Sequence, residues 1–120
     1  MKENILKEKS FVFALRIVKL YRYLSTEKKE YVLSKQLLRS GTSIGALVRE
    51  AEFAQSKKDF INKMSIALKE ANETDYWLLL MKESAYINEI MFNSIQPEII
   101  ELIKLLTSSI KTTKKSIKNK

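Results

Sequence analysis

The chain has 120 residues and a mass of 14.0 kDa, with 22 Lys and Arg against 14 Asp and Glu, for a net charge of +8 and a pI near 9.6. That length suits one domain, and 45% hydrophobic with 30% charged residues builds a core under a charged surface, which excludes disordered and collagen-like chains. The complete lack of His and Cys excludes Ser-His-Asp and Cys-His nucleophiles, zinc fingers, thiol redox chemistry and disulfides.

Two Gly and one Pro are too few for a protein of hairpins and bends, so an all-α fold is expected. No segment approaches the ~18 uninterrupted apolar residues of a membrane span. The opening MKENILKEKS carries acids and lacks an apolar signal core. A cytoplasmic protein is expected.

The first helix is expected at about residues 4–25. Phe11, Leu15, Val18 and Tyr21 follow one helical stripe, and Phe13, Ile17, Leu20 and Leu24 follow a second beside it. A helix on the outside of a small monomer needs one stripe. The second calls for a neighbouring subunit, with a helix sunk deep in a monomeric core as the alternative. Arg16, Lys19 and Arg22 fill the remaining face.

The polar run from Ser25 to Glu30 ends that helix, and the pattern restarts with Leu33, Leu37, Gly41, Ile44, Val48 and Ala51, predicting helix 2 at about 31–55. Its Gly41 and Gly45 lack the GxxxxGK(S/T) spacing of a phosphate loop and the strand before it. Four residues apart on one face, they instead let another backbone approach, at ~1 kcal/mol of helix propensity each.

Ser56 with Asp59 three residues on reads as an N-cap, opening helix 3 at about 57–85. Phe60, Met64, Ala67, Ala71, Thr74, Leu78, Met81 and Ala85 repeat at spacings of 4 and 3, the seam of a left-handed bundle. Ala67, Ala71 and Thr74 are expected against the small residues of helix 2, making those two helices the tightest pair. Outside the seam, Tyr76, Trp77, Leu79 and Leu80 make the middle of helix 3 apolar nearly all round, which again asks for a partner.

A break is expected from Tyr86 to Gln96, followed by helix 4 at about 94–117 with Pro97 in its first turn. Ile99, Ile103, Leu106, Ile110, Thr113 and Ile117 share one face. The last turns carry Lys111, Lys114, Lys115, Lys118 and Lys120, with no acid after Glu101. The helix dipole favours some of these lysines, but the run exceeds what a cap needs.

Charge is unevenly distributed: residues 1–40 hold 10 basic and 4 acidic side chains, residues 41–101 hold 6 and 10, and residues 102–120 hold 6 and none. If the first and last helices lie side by side, the two basic segments are expected to merge into one positive face or end, attractive to polyphosphate. Lys-rich surfaces that only maintain solubility are the alternative. Glu50, Glu52, Glu70, Glu73 and Asp75 crowd the middle helices, but di-metal bundle sites use Glu-x-x-His pairs and no His exists. Acids such as Glu50 and Glu70 are expected to pair with Arg39, Arg49, Lys63 or Lys69 at helix contacts or subunit boundaries.

The stretch VLSKQLLRSGTSIGALVREAEFAQSKKDFINKMSIALKEANETDYWLLLM, residues 32–81, resembles the bacterial four-helix-bundle proteins named after the intervening sequence of 23S ribosomal RNA. FALRIVKLYRYL, residues 13–24, fits the same family. The most specific parts are Arg39-Ser40-Gly41-x-Ser43-Ile44, Glu50-Ala51, Ser56-Lys57-Lys58-Asp59-Phe60 and Ala67-Leu68-Lys69-Glu70-Ala71 with Glu73, Tyr76, Trp77 and Leu78. The resemblance implies an antiparallel up-down-up-down bundle assembling as a ring of five. It also implies kinship with the accessory protein of diversity-generating retroelements, a basic pentameric bundle that binds nucleic acid and works with a reverse transcriptase. One departure is Leu47, followed by Val48-Arg49, where the family usually has Asn followed often by Ile-Ala.

The combined expectation is a non-catalytic homo-oligomer, without a cofactor or metal, that binds RNA or DNA backbone with little sequence preference. The residues expected to act are Arg16, Lys19, Arg22, Lys28, Lys29 and Lys35 from the N-terminal half, with Lys111, Lys114, Lys115 and Lys118 from the last helix. The alternative is a protein-interaction scaffold. A magnesium-dependent nuclease using Glu50 or Glu70 is the third candidate.

Overall fold

A computed structural model describes residues 2–118, with side chains from Ile5 onward. Four helices, α1 (Lys2–Thr26), α2 (Leu33–Glu52), α3 (Lys57–Glu83) and α4 (Glu89–Lys118), make an all-α fold 53 × 22 × 20 Å in extent, with no strand among the described residues. No described helix is long and apolar enough to cross a membrane.

The helices close a cycle in which α1 packs on α2 and α4, and α3 on α2 and α4. Among the described residues α1 does not pack on α3, nor α2 on α4. The contacts cross in opposite order: Lys7 meets Glu52 while Ile17 meets Gly41, and Lys9 meets Glu101 while Arg16 meets Ser94. Likewise Arg39 meets Glu70 while Glu50 meets Lys63, and Lys57 meets Ser116 while Asp75 meets Gln96.

On α1 the stripe Phe13, Ile17, Leu20 and Leu24 is buried, and the other keeps Phe11 and Leu15 about half exposed. The buried seam of α3 runs from Met64 to Met81 as its spacing predicts. Ala85 does not belong to it, because α3 ends at Glu83 and Ala85 is exposed in the left-handed region at φ 66°. The α2–α3 contact is the most extensive in the fold. At its centre the buried hydroxyls of Ser40 and Thr74 are hydrogen-bonded at 2.9 Å.

The glycines of α2 serve a different neighbour from the one expected. A Cβ on Gly41 would stand 2.8 Å from Ile17 Cγ1, and one on Gly45 would stand 3.4 Å from the Ser10 carbonyl oxygen, so both admit α1. Ser40, one residue away from Gly41, is what α3 meets.

The break before α4 is shorter than the sequence predicts. Asn88 caps the helix, accepting the Met91 N–H on its side-chain oxygen at 2.8 Å, and α4 starts at Glu89. Pro97 therefore lies inside the helix and not in its first turn. It is tolerated because it and Asn93, whose carbonyl loses the usual helical donor, are both exposed, leaving that oxygen to water. The buried seam of α4 is Ile95, Ile99, Leu102, Leu106, Ser109 and Ile110, while Ile103, Thr113 and Ile117 are half-buried at its margin.

Candidate nucleic-acid interface

The opposite order of the α1–α4 contacts divides the basic residues of α1 between the two ends of the molecule, so the candidate residues do not form one merged face. As α1 rises from Lys9 to Arg16, its partners on α4 fall from Glu101 to Ser94, so Lys19, Arg22, Lys28, Lys29 and Lys35 lie toward the end of the 53 Å molecule opposite the C-terminal lysines, while Lys7 and Lys9, paired with Glu52 and Glu101, lie toward the lysine end. At one end Lys28 shares a groove with Tyr23, Lys82 and Asn88, with Lys29 in the adjoining connection and Lys35 in the first turns of α2. At the other, the C-terminal lysines of α4 stand beside Lys57, whose ammonium donates to the Ser116 hydroxyl.

The N-terminal set is heterogeneous. Arg16 is bound on three sides, donating to the Ser94 carbonyl at 2.9 Å, to Ser94 Oγ at 2.8 Å and to the Glu98 carboxylate, so it clasps α1 to α4. Lys28 lies over the Tyr23 ring at 6.0 Å, and Lys19, Arg22, Lys29 and Lys35 are exposed with no ion pair among the described residues. Lys29 turns the chain out of α1 at φ 55°, allowing the Glu30 N–H to donate to Leu24 O at 2.9 Å.

The nearby start of α2 is closed to outside anions because Glu30 occupies it. Its buried carboxylate accepts N–H bonds from Val32 at 3.2 Å, Leu33 at 3.0 Å and Ser34 at 2.7 Å. Burial alone would raise its pKa, but these three backbone donors and the Ser34 hydroxyl bring it below the ordinary 4.5.

The α4 set is more uniform. Lys111, Lys115 and Lys118 are joined by Lys104, which the sequence reading omitted, at spacings of 7, 4 and 3 residues. At 3.6 residues per turn these positions lie within ~60° of one another over ~21 Å of helix. Lys104, Thr107, Ser108, Lys111, Thr112 and Lys115, with Ile103, line a shallow depression of about 480 Å³. Lys114 stands to one side, and none of these lysines has an acidic partner among the described residues.

Glu50, Glu52, Glu70 and Glu73 are engaged in ion pairs, while Asp75 accepts from the Gln96 amide at 3.4 Å. Arg39 bridges Glu70, at 3.1 Å, and Glu73, whose carboxylate also accepts the Trp77 indole N–H at 3.2 Å; Glu50 pairs with Lys63 at 3.3 Å. Arg49 instead stacks over Phe11 at 5.7 Å, and Lys69 has no ion-pair partner among the described residues. The described residues contain no group of three or more Asp or Glu placed to hold a metal.

Residues 2–108 match the family described as 23S rRNA-intervening sequence protein. The chain belongs to that family. A crystal structure of a protein of unknown function from Bacteroides thetaiotaomicron, described as of the S23 ribosomal protein family, is 59% identical. It superposes with a TM-score of 0.91 over 92% of this chain and 99% of that one. Comparison with the curated proteins gives no match. Leu47 is half-buried and packs against the core, so this chain uses that position for apolar contact.

Proposed function

We propose that this chain is a non-catalytic, antiparallel up-down-up-down bundle that self-associates in the cytoplasm and binds RNA or DNA backbone with little sequence preference. The observation that carries this reading is the lysine face of α4, which has no acid after Glu101 and no ion-pair partner among the described residues. Side chains that compensate no internal charge are available to replace the counterions of phosphate. Lys19, Arg22, Lys28, Lys29 and Lys35 provide a second positive end, and Arg16 contributes there only as far as its clasp to Glu98 leaves it free.

Self-association is supported by two unlike apolar faces. Phe11, Val12 and Leu15 are 51–53% exposed on α1, and Tyr76 and Leu79 are 58% and 48% exposed on α3. Since α1 and α3 do not pack together, these faces look outward on different sides. Pairing α1 of one copy with α3 of the next is a head-to-tail contact, the kind that closes into rings. The family resemblance implies five subunits, and a reverse transcriptase or another protein as a further partner.

Fluorescence anisotropy of a structured RNA and a duplex DNA over about 50 to 300 mM salt tests the binding. The expected result is micromolar or tighter affinity near 150 mM, with each lysine removed from α4 lowering the log-log salt slope by ~1. Absence of binding above ~100 mM salt overturns it. That outcome favours a protein-interaction scaffold, a reading supported by the groove of about 560 Å³ between α1 and α4, floored by Leu20, Tyr23, Ile87, Met91 and Ile95.

A further inference from the structure

The geometry of α4 bears on which form of nucleic acid its lysines take. Lys104, Lys111, Lys115 and Lys118 lie on the side of the helix opposite buried Leu102, Leu106 and Ser109, and one uninterrupted helix keeps their ~21 Å row straight. The residues between them in the depression are Thr107, Ser108 and Thr112, and no aromatic ring lines it.

The exposed aromatic side chains belong to other parts of the molecule. Phe11 is on α1, Tyr31 in the α1–α2 connection and Tyr76 on α3. Phe53, 79% exposed, stands at the same end as the lysines, but on the connection leaving α2, which does not pack on α4. The lysine row faces away from the core, and hence away from Phe53.

Proteins that hold single strands rely on rings on which successive bases stack. A flexible strand laid along this row would be straightened and would gain no stacking in return. A duplex is already straight over such a length, given a persistence length of ~150 base pairs. It also presents one charge per ~1.7 Å of axis, twice the density of either strand alone.

We infer that the α4 row is a docking surface for double-stranded nucleic acid, held through its phosphates, and that it discriminates against single strands. This rests on the backbone-binding reading above.

The test is anisotropy of labelled 20-mers with the full chain, using duplex DNA, duplex RNA and the single strands of each, with affinities compared at equal salt and slopes taken over about 50 to 300 mM. Helicity of every variant is checked by circular dichroism. At least one duplex should bind about tenfold or more tighter than its own single strands. The triple variant Lys104→Gln, Lys111→Gln, Lys115→Gln should lose most of that advantage and ~2.7 of the log-log salt slope. Lys69→Gln and Phe53→Ala should change neither affinity. Single strands bound as tightly as both duplexes, or affinity lost in Phe53→Ala, overturns the duplex preference and leaves backbone binding standing. No binding of any 20-mer overturns both.

Discussion

Glu30 does for α2 what a Ser or Asp cap usually does, from two residues before the N-cap position and with a full negative charge. Val32 itself provides no side-chain cap, so removing the carboxylate orphans three N–H groups at once. Glu30→Ala should cost ~1–2 kcal/mol in urea unfolding. Because the folded-state pKa is lowered, this stabilisation is complete above the unfolded value near 4.5 and disappears as pH falls through the folded one. Wild type should therefore converge on Glu30→Gln below pH 4.5, with a constant gap between them above about pH 6. Gly41 is as constrained sterically as Glu30 is electrostatically. A Cβ there meets both γ carbons of Ile17, at 2.8 and 2.9 Å, and that side chain is wholly buried next to its own branch point. Gly41→Ala should lower stability by ~1–3 kcal/mol despite its helix propensity gain. A stabilised variant in denaturant melts would show that α1 can move away.

Among the elements, α1 and α3 were legible because buried apolar residues recur at helical spacing with few exceptions. The start of α4 was not. Asn88, Asn93, Ser94 and Pro97 together have the composition of a loop, yet each has a helical reason that composition does not display. Asn88 is the cap, Ser94 accepts Arg16 from α1, and Asn93 and Pro97 face solvent. Asn88→Ala should cost ~1 kcal/mol and fray the first turn, seen as faster amide exchange at Met91 and Phe92. Unchanged exchange there would mean packing alone holds that turn. Lys104 escaped notice for a similar reason: it sits between Ile103 and Leu105, inside what reads as an apolar run. Only the helical period, counted back seven residues from Lys111, places it with the lysine row.

For the whole molecule, the candidate cations fall into two sets toward opposite ends of a 53 Å rod. Sequence counts revealed the basic excess but not its distribution along the rod, which depends on the opposite order of the α1–α4 contacts. The proposed assembly is tested by charging its apolar faces: Leu15→Glu on α1 or Leu79→Glu on α3 should each reduce the mass seen by light scattering while leaving helicity intact. Either variant retaining full oligomer mass would exclude that face from the contact.

The hydroxyl pair between α2 and α3 sets a further condition on any such assembly. Sliding α3 along α2 by a single turn would break this bond and leave each hydroxyl only a carbonyl of its own helix, Leu37 O for Ser40 and Glu70 O for Thr74, a loss of ~0.5–1.5 kcal/mol. The 2.9 Å bond therefore acts as an index mark between two helices whose aliphatic seams alone would tolerate a shift. It fixes the height of Tyr76 and Leu79 along the rod relative to Phe11 and Leu15. Copies joined through those faces would all inherit the same stagger, so a buried pair of hydroxyls that touches no other subunit helps decide whether a chain of them closes on itself or winds on as a filament.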